Sequence, residues 1–402
     1  MTHTPTTYSK DDHGISIDSI DKNALYILEK LWSKGYTAYL VGGGVRDLLL
    51  GRTPKDFDIS TSATPEETRA CFRNCRLIGR RFRLAHVFFG KQIFEVSTFR
   101  KGDTESHELI VRDNDWGTPE EDVLRRDFTI NGLFYDVEND QIIDYVGGYA
   151  DLKKRSLETI GNPKARFFQD PVRMLRLIKF QARLGFSIED TTLHALFESK
   201  EQIIKSSPAR LLEEVLRMLE SRAAGPFFHL MHAYRLLGYL FPTLDSFMGD
   251  AAKAERLLAY LHAVDESEKR YDRSALLSLL MWPLLSDQIE GFEERPHLGD
   301  IGQMASELVS SFASDCVQLT RKLRVDARFI LATQYRLTPL LPRKGLMRPK
   351  ILENEAIDAT FELLQIRANF EADAHKAYLR WKDAERPKPR ASEPRRRRRR
   401  RR

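Results

Sequence analysis

Three consecutive glycines, Gly42 to Gly44, close one apolar run and open another, and two aspartates, Asp56 and Asp58, follow about a dozen residues later. Residues 36–41 alternate and are rich in Tyr, Leu and Val, which predicts a strand. The glycines let the backbone approach an anion closely, and residues 45–50 predict a short helix whose N-terminus attracts negative charge. Gly51 to Pro54 break that helix, and residues 56–59 predict a second short strand. Alternate strand residues point to one face, so the two carboxylates project together. Two carboxylates on one face repel unless a cation lies between them, and Mg²⁺ is held by one or two carboxylates plus substrate phosphates. A phosphate cradle followed by such a pair is what nucleotidyl transfer requires. Each half alone has a plainer explanation: a tight connection for the glycines, a solvated turn for the aspartates. Joined as strand, turn, helix and strand, they point to function.

The charge is unevenly distributed. Residues 386–402 hold eleven basic residues and one acidic residue, a net +10, so the other 385 residues carry −4 within the total of +6. This Pro-containing arm, ending in eight arginines that include Arg395, Arg396, Arg397 and Arg398, predicts a disordered polyanion-binding tail, 382–402. Such a tail binds RNA through counterion release, with a strong salt dependence. A solvated tail or an added purification sequence is the bland alternative. No apolar run approaches the roughly 20 residues needed to cross a bilayer, and no signal core opens the chain, so the expectation is a cytoplasmic protein without membrane insertion. Three cysteines without a second ligand pair read as structural thiols rather than a zinc site.

A chain of 402 residues predicts two to four domains. Residues 1–17 read as mobile and 20–34 as a helix. Thr64-Pro65-Glu66-Glu67 starts a helix running to about Asn74, and residues 83–89 and 92–99 form a hairpin about Gly90-Lys91. Glu95 lies in an otherwise apolar strand, where it either supports the metal site or faces solvent. Residues 100–119 read as a mobile loop. Helical stripes dominate from about Leu152. The expected fold is α+β: a catalytic head with a small mixed sheet over 18–152, an all-helical neck over 153–245, a helical body over 246–381, and the tail.

Two further blocks carry the remaining polar constellation. Residues 125–132 read Arg-Arg-Asp-Phe-Thr-Ile-Asn-Gly, after the acidic Glu120, Glu121 and Asp122. Structural ion pairs are the plain reading of the adjacent arginines. Residues 169–176 read Gln-Asp-Pro-Val-Arg-Met-Leu-Arg, with Pro171 at a first helical position and Asp170 as a cap. Arg173 and Arg176 then share a helix face. A paired Asp and Arg offers acceptors and a rigid fork of donors, which together can read a nucleobase edge without a template.

With these blocks, about residues 13–245 resemble the class II nucleotidyltransferases, the branch of bacterial poly(A) polymerases and CCA-adding tRNA nucleotidyltransferases. The resemblance implies that Asp56 and Asp58 bind two Mg²⁺ ions (Mn²⁺ can substitute), with Asp127 or Glu95 completing the acidic site. It implies that Gly43 and Arg46 hold the triphosphate of ATP, that Arg126 and Arg176 contact nucleotide, and that Asp170 and Arg173 favour the base. Gln169 departs from the pattern, standing where the family has an acid. Residues 79–86, Gly-Arg-Arg-Phe-Arg-Leu-Ala-His, resemble the poly(A) polymerase branch, and Arg80, Arg81 and Arg83 are expected to neutralise RNA phosphates. The implied activity is template-independent addition of AMP to RNA 3′ ends by a monomer, with an RNA helicase or nuclease of RNA decay as protein partner. CCA addition is the alternative enzyme, and a catalytically silent RNA-binding protein is the alternative of another class.

Overall fold

The computed structural model describes residues 4–79, 83–102, 115–292, 296–338 and 349–382. Arg80, Arg81 and the arginine tail, Arg395 to Arg398 included, lie outside the described residues. The chain forms two compact units, Met1–Ser206 and Ser207–Arg402. The boundary falls inside the segment 153–245.

The first unit is built on an eight-stranded mixed sheet. Its strands are β1 (Thr6–Tyr8), β2 (Ala38–Val41), β3 (Asp58–Thr61), β4 (Cys75–Ile78), β5 (Leu84–Phe89), β6 (Gln92–Thr98), β7 (Leu133–Asp136) and β8 (Gln141–Asp144). Their order is β1-β8-β7-β2-β3-β6-β5-β4. Every neighbouring pair is antiparallel except β3 and β6. One face rests on α1 (Lys22–Trp32), whose Ala24, Ile27, Leu28 and Leu31 are fully buried with Ala38, Leu40, Ile59, Ala85, Phe94 and Val96. The helix buries residues spaced three and four apart, as its sequence stripe predicts. α2 (Gly43–Leu49) follows β2 directly, and α3 (Pro65–Cys71) starts at a Thr64–Glu67 capping box.

Three expectations are corrected here. Within the segment read as mobile, Thr6–Tyr8 adds an edge strand to β8, and Tyr8 stacks on Tyr149 with centroids 3.9 Å apart. The strand read as 56–59 begins only at Asp58. Its ladder partner β2 ends at Val41, opposite Asp58, because the chain has already turned at Gly42 into α2. Asp56 therefore has no strand to pair with and lies in the turn before β3. Finally, the region after Leu152 is not wholly helical: Ser156–Leu157 and Ser187–Ile188 form a short parallel pair.

Beyond the sheet, α4 (Pro119–Leu124) leads into the Arg125–Asn131 segment, and α5 (Pro163–Gln169) is followed by α6 (Val172–Leu184). Pro171 is the N-cap of α6, and the Asp170 carbonyl accepts from the Arg173 amide at 3.0 Å. In the second unit the described residues outside turns are helical. At its centre Arg367 lies 3.6 Å over the Trp282 ring and binds Glu371, which also accepts from Tyr260 and the Trp282 indole. The three cysteines are free thiols. No helix among the described residues is long and apolar enough to cross a membrane.

Candidate active site

Gly42 has φ 69° and ψ −133°, a conformation that a side chain strongly disfavours. It turns the chain from β2 into α2, and Gly43 and Gly44 form the first helical turn. A Cβ on Gly44 would sit 3.0 Å from the Asp56 carbonyl oxygen. That close approach clamps the 56–57 backbone against α2 and so delivers both aspartates beside the glycine turn.

Asp58 and Ser60 share a face with Val41 and Tyr39, their partners on β2. The parallel pairing of Ile59 with Val96 places Glu95 level with Asp58 on the adjacent strand. Asp58 is an exposed residue, yet protein lies close around its carboxyl. Desolvation, then repulsion by Glu95, and also by Asp56, raises its pKa to about 6 against the attraction of Arg126. This donor set fits a divalent cation: hard oxygen ligands, mutually repelling, whose ionisation a metal would favour. Among the described residues no three acidic, His or Cys side chains form a ready-made metal cage. Glu95 instead lies 3.6 Å from the His86 ring nitrogen. Asp56 and Asp58 are thus a pair that would need substrate oxygens to complete a coordination shell.

Asp127 stands apart from that pair. It is buried, and its Oδ1 accepts from the Phe128 amide at 2.9 Å and from Asn131 Nδ2 at 3.1 Å. Its Oδ2 accepts from Arg176 Nε at 2.7 Å. Burial alone would raise its pKa, but Arg176 beside it and the bond from Asn131 outweigh this and hold it at about 2. With its oxygens committed this way, Asp127 orients its neighbours rather than presenting a bare carboxylate. Asn131 continues the network, accepting from Arg46 Nη1 at 2.7 Å, and the other end of that guanidinium binds Asp47. Arg46 is only 3% exposed, so the expected triphosphate ligand is in this structure a buried brace behind the glycine turn. Its Nη2 would lie 3.5 Å from a Cβ on Gly43, which keeps it within a side-chain movement of the cradle. The guanidinium carbons of Arg46 and Arg176 lie 5.1 and 5.9 Å from the Phe180 ring centroid.

Arg126 faces the cradle more directly. Its Nη1 would be 3.4 Å from a Cβ on Gly42, and its Nη2 donates to Ser60 Oγ at 3.2 Å and to Asp122 at 2.7 Å. Asp122 is fully buried and also accepts from Arg125 and from the Arg100 amide. Burial opposes its ionisation, but Arg126 and Arg125 together keep its pKa below the usual carboxylate value. The structural ion pairs are therefore real, and they aim Arg126 at the glycine turn.

Of the base-reading candidates, Arg173 lies behind this segment. Arg173 is 6% exposed and donates to the carbonyls of Arg125 and Arg166, at 3.1 and 3.3 Å. Arg166, which the sequence reading passed over, donates to the carbonyls of Leu124 and Arg126 and to Gln169 Oε1 at 2.7 Å. Three successive carbonyls, 124 to 126, are thus held by two buried arginines from α5 and α6. Gln169, in place of the family acid, is buried and satisfies Arg166 without neutralising it. Burial, then repulsion from Arg173, lowers the Arg166 pKa to about 9. Asp122 had a visible signal, three and four residues before the arginines it binds; the clamp made by Arg166 had none, since the carbonyls it holds lie about forty residues away in the chain. Arg83, expected on RNA, pairs with Glu66 at 2.8 Å in this structure, both side chains about half exposed.

The order of these blocks along the chain agrees with known proteins. Residues 38–158 match a family model described as "Poly A polymerase head domain", and residues 185–248 one described as "Probable RNA and SrmB- binding site of polymerase A". Poly(A) polymerase I of Salmonella typhi is 38% identical over 386 residues, 91% of this chain and 82% of that protein. The chain belongs to the bacterial poly(A) polymerase I family. A CCA-adding enzyme of Lactobacillus helveticus is 37% identical, but over 58% of this chain. The Bacillus stearothermophilus CCA-adding enzyme, solved in complex with CTP, superposes with a TM-score of 0.62 at 28% identity, covering 89% of this chain and 80% of its own. Sequence likeness to the CCA-adding enzyme thus spans little more than half of the chain and that to poly(A) polymerase I spans 91% of it, while the fold of the CCA-adding structure is shared over 89%.

Proposed function

We propose that this chain extends RNA 3′ ends with AMP from ATP, using Asp56 and Asp58 as the metal-binding pair. The observation that carries the site assignment is the crowding of Asp58 by Glu95 and Asp56 beside a turn whose positive φ at Gly42 requires glycine. Asp56 and Asp58 would hold two Mg²⁺ (or Mn²⁺) ions, which would supply Lewis acidity for the 3′-hydroxyl and for the leaving pyrophosphate. The chain's own residues do the rest. The Gly42–Gly44 backbone receives the triphosphate at the start of α2, and Arg126, held by Asp122, neutralises phosphate charge. Arg176, held by Asp127, faces the nucleotide with 37% of its side chain exposed. Asp170 and Arg173 orient the base, with Arg173 exchanging a backbone carbonyl for the nucleotide. Glu95 acts beside the pair through its charge, and Arg80, Arg81, Arg83 and the tail hold RNA. The chain works in the cytoplasm as a monomer, alongside helicases or nucleases of RNA decay.

CCA addition is the second reading, favoured by the shared head. Purified protein with Mg²⁺ is offered an unstructured oligonucleotide and a tRNA lacking its terminal CCA, each with ATP, CTP or both. Long ladders on the oligonucleotide with ATP alone are expected. Three additions confined to the tRNA and requiring CTP would overturn the proposal.

A further inference from the structure

The sheet face that carries Asp58 does not end at the carboxylates. Asp58, Glu95, His86 and Arg76 stand level on four successive strands, β3, β6, β5 and β4. With neighbouring strands about 4.8 Å apart, Arg76 lies roughly 14 Å from Asp58 across this face. The adjacent row holds Phe88 and Ile93, directly paired on β5 and β6 and two residues from His86 and Glu95. The opposite face, with Ala85, Val87, Phe94 and Val96, is packed into the core. An outward face of this kind is ordinarily polar. Here Ile93 is 51% exposed, Arg76 is exposed with its guanidinium 5.8 Å from the Phe88 centroid, and the His86 ring stands edge-on to Phe88.

We propose that this face is the platform for the 3′-terminal nucleotides of single-stranded RNA. The inference rests on Asp56 and Asp58 being the catalytic pair, and it states from which side the primer reaches them. The terminal ribose lies at Asp58, and the preceding bases stack on the Arg76–Phe88 pair and on Ile93. Arg76 meets a phosphate at the outer end. Stacking on aromatic and guanidinium planes tolerates any base, which suits a primer of arbitrary sequence that advances by one nucleotide per cycle. Glu95, in the middle of the row, repels phosphate. The RNA backbone therefore runs along the Arg76 side, and the Glu95 carboxylate, an acceptor only, is available to a ribose 2′-hydroxyl.

The full chain is tested as Arg76→Glu and Phe88→Leu in steady-state adenylation of an unstructured RNA oligonucleotide. The primer KM is expected to rise about fivefold or more in each, the lower end of what one lost stacking contact is worth. The KM for ATP should stay within about twofold of wild type, which also shows that the head is folded. An unchanged primer KM, or both KM values rising together, overturns the proposal. A primer carrying 4-thiouridine next to its 3′ end provides a readout that needs no turnover. Crosslinking to the peptide containing residues 84–93 supports the platform, and crosslinking only elsewhere refutes it. A wild-type protein that crosslinks there yet adds no AMP would sink the catalytic reading and leave the platform standing.

Discussion

Asp122→Asn changes one atom of a fully buried carboxylate that pairs with two arginines, and the structure says which contacts it removes. Oδ1 accepts from the Arg100 amide, Arg125 Nε and Arg125 Nη2, whereas Oδ2 accepts only from Arg126 Nε and Nη2. An asparagine keeps more bonds by placing its oxygen at the Oδ1 position, so its NH₂ meets the Arg126 guanidinium, donor against donor. Breaking a buried ion pair by removing one charge costs about 3–5 kcal/mol. The two guanidiniums retain 19% and 17% exposure, which relieves part of the penalty and points to the lower end, about 3 kcal/mol. Native-state hydrogen exchange in peptides covering residues 96–102 and 118–134 isolates this region from the rest of the chain. A loss of that size accelerates exchange there roughly hundredfold, since about 1.4 kcal/mol is a factor of ten. The freed Arg126 should also raise the KM for ATP several-fold. Exchange accelerated less than about tenfold, with an unchanged KM for ATP, would refute the claim that Asp122 aims Arg126.

Three further expectations concern other parts of the account. Asp127, held at about 2 in the fold against an ordinary aspartate value near 3.9, contributes stability on the order of 2 kcal/mol; this is complete above about pH 5 and lost as the pH falls toward 2. Wild type should therefore lose more stability than Asp127→Asn over that acid range, and parallel pH profiles would contradict the assignment. Arg166→Met removes the donors to three acceptors, the Leu124 and Arg126 carbonyls and Gln169 Oε1; kcat with ATP should fall at least tenfold while primer KM stays within about twofold, because the displaced elements carry Arg126 and Arg173. An unaltered kcat would show that the carbonyls of 124 and 126 need no clamp. Deleting residues 386–402 should weaken RNA affinity mainly at low salt and flatten the log–log salt dependence by about 0.7 for each phosphate the tail neutralises. An unchanged slope would exclude the tail from binding.

What could be read in the sequence was local. The glycine turn, the capping box at Thr64, the 83–99 hairpin and the helical stripe of 20–34 all follow from residues within one or two turns of each other. The strand at Thr6–Tyr8 could not be read that way, because its reason is the open edge of β8, more than 130 residues away. The start of β3 was misplaced for a similar cause: where β2 leaves the ladder depends on a backbone turn at Gly42, which moves Asp56 off the strand. Within the site, the acidic pair and the Arg-Arg-Asp block were visible as residue types. Their division of labour was not. Whether Asp127 faces a metal or an arginine, and whether Arg46 and Arg173 point outward or bind neighbouring side chains and carbonyls, depends on groups meeting across α2, α5, α6 and the 124–131 segment. Spacing along one chain carries no record of those meetings.

The central claim is that Asp56 and Asp58 hold the cation that makes this head a polymerase. Asp58→Asn removes one ligand charge while keeping shape and hydrogen-bonding capacity. Incorporation of labelled AMP into an RNA oligonucleotide, measured beside the affinity of the same variant for that RNA, tests it directly. The account predicts loss of incorporation to background with RNA affinity within about twofold of wild type; AMP addition continuing at the wild-type rate would contradict it.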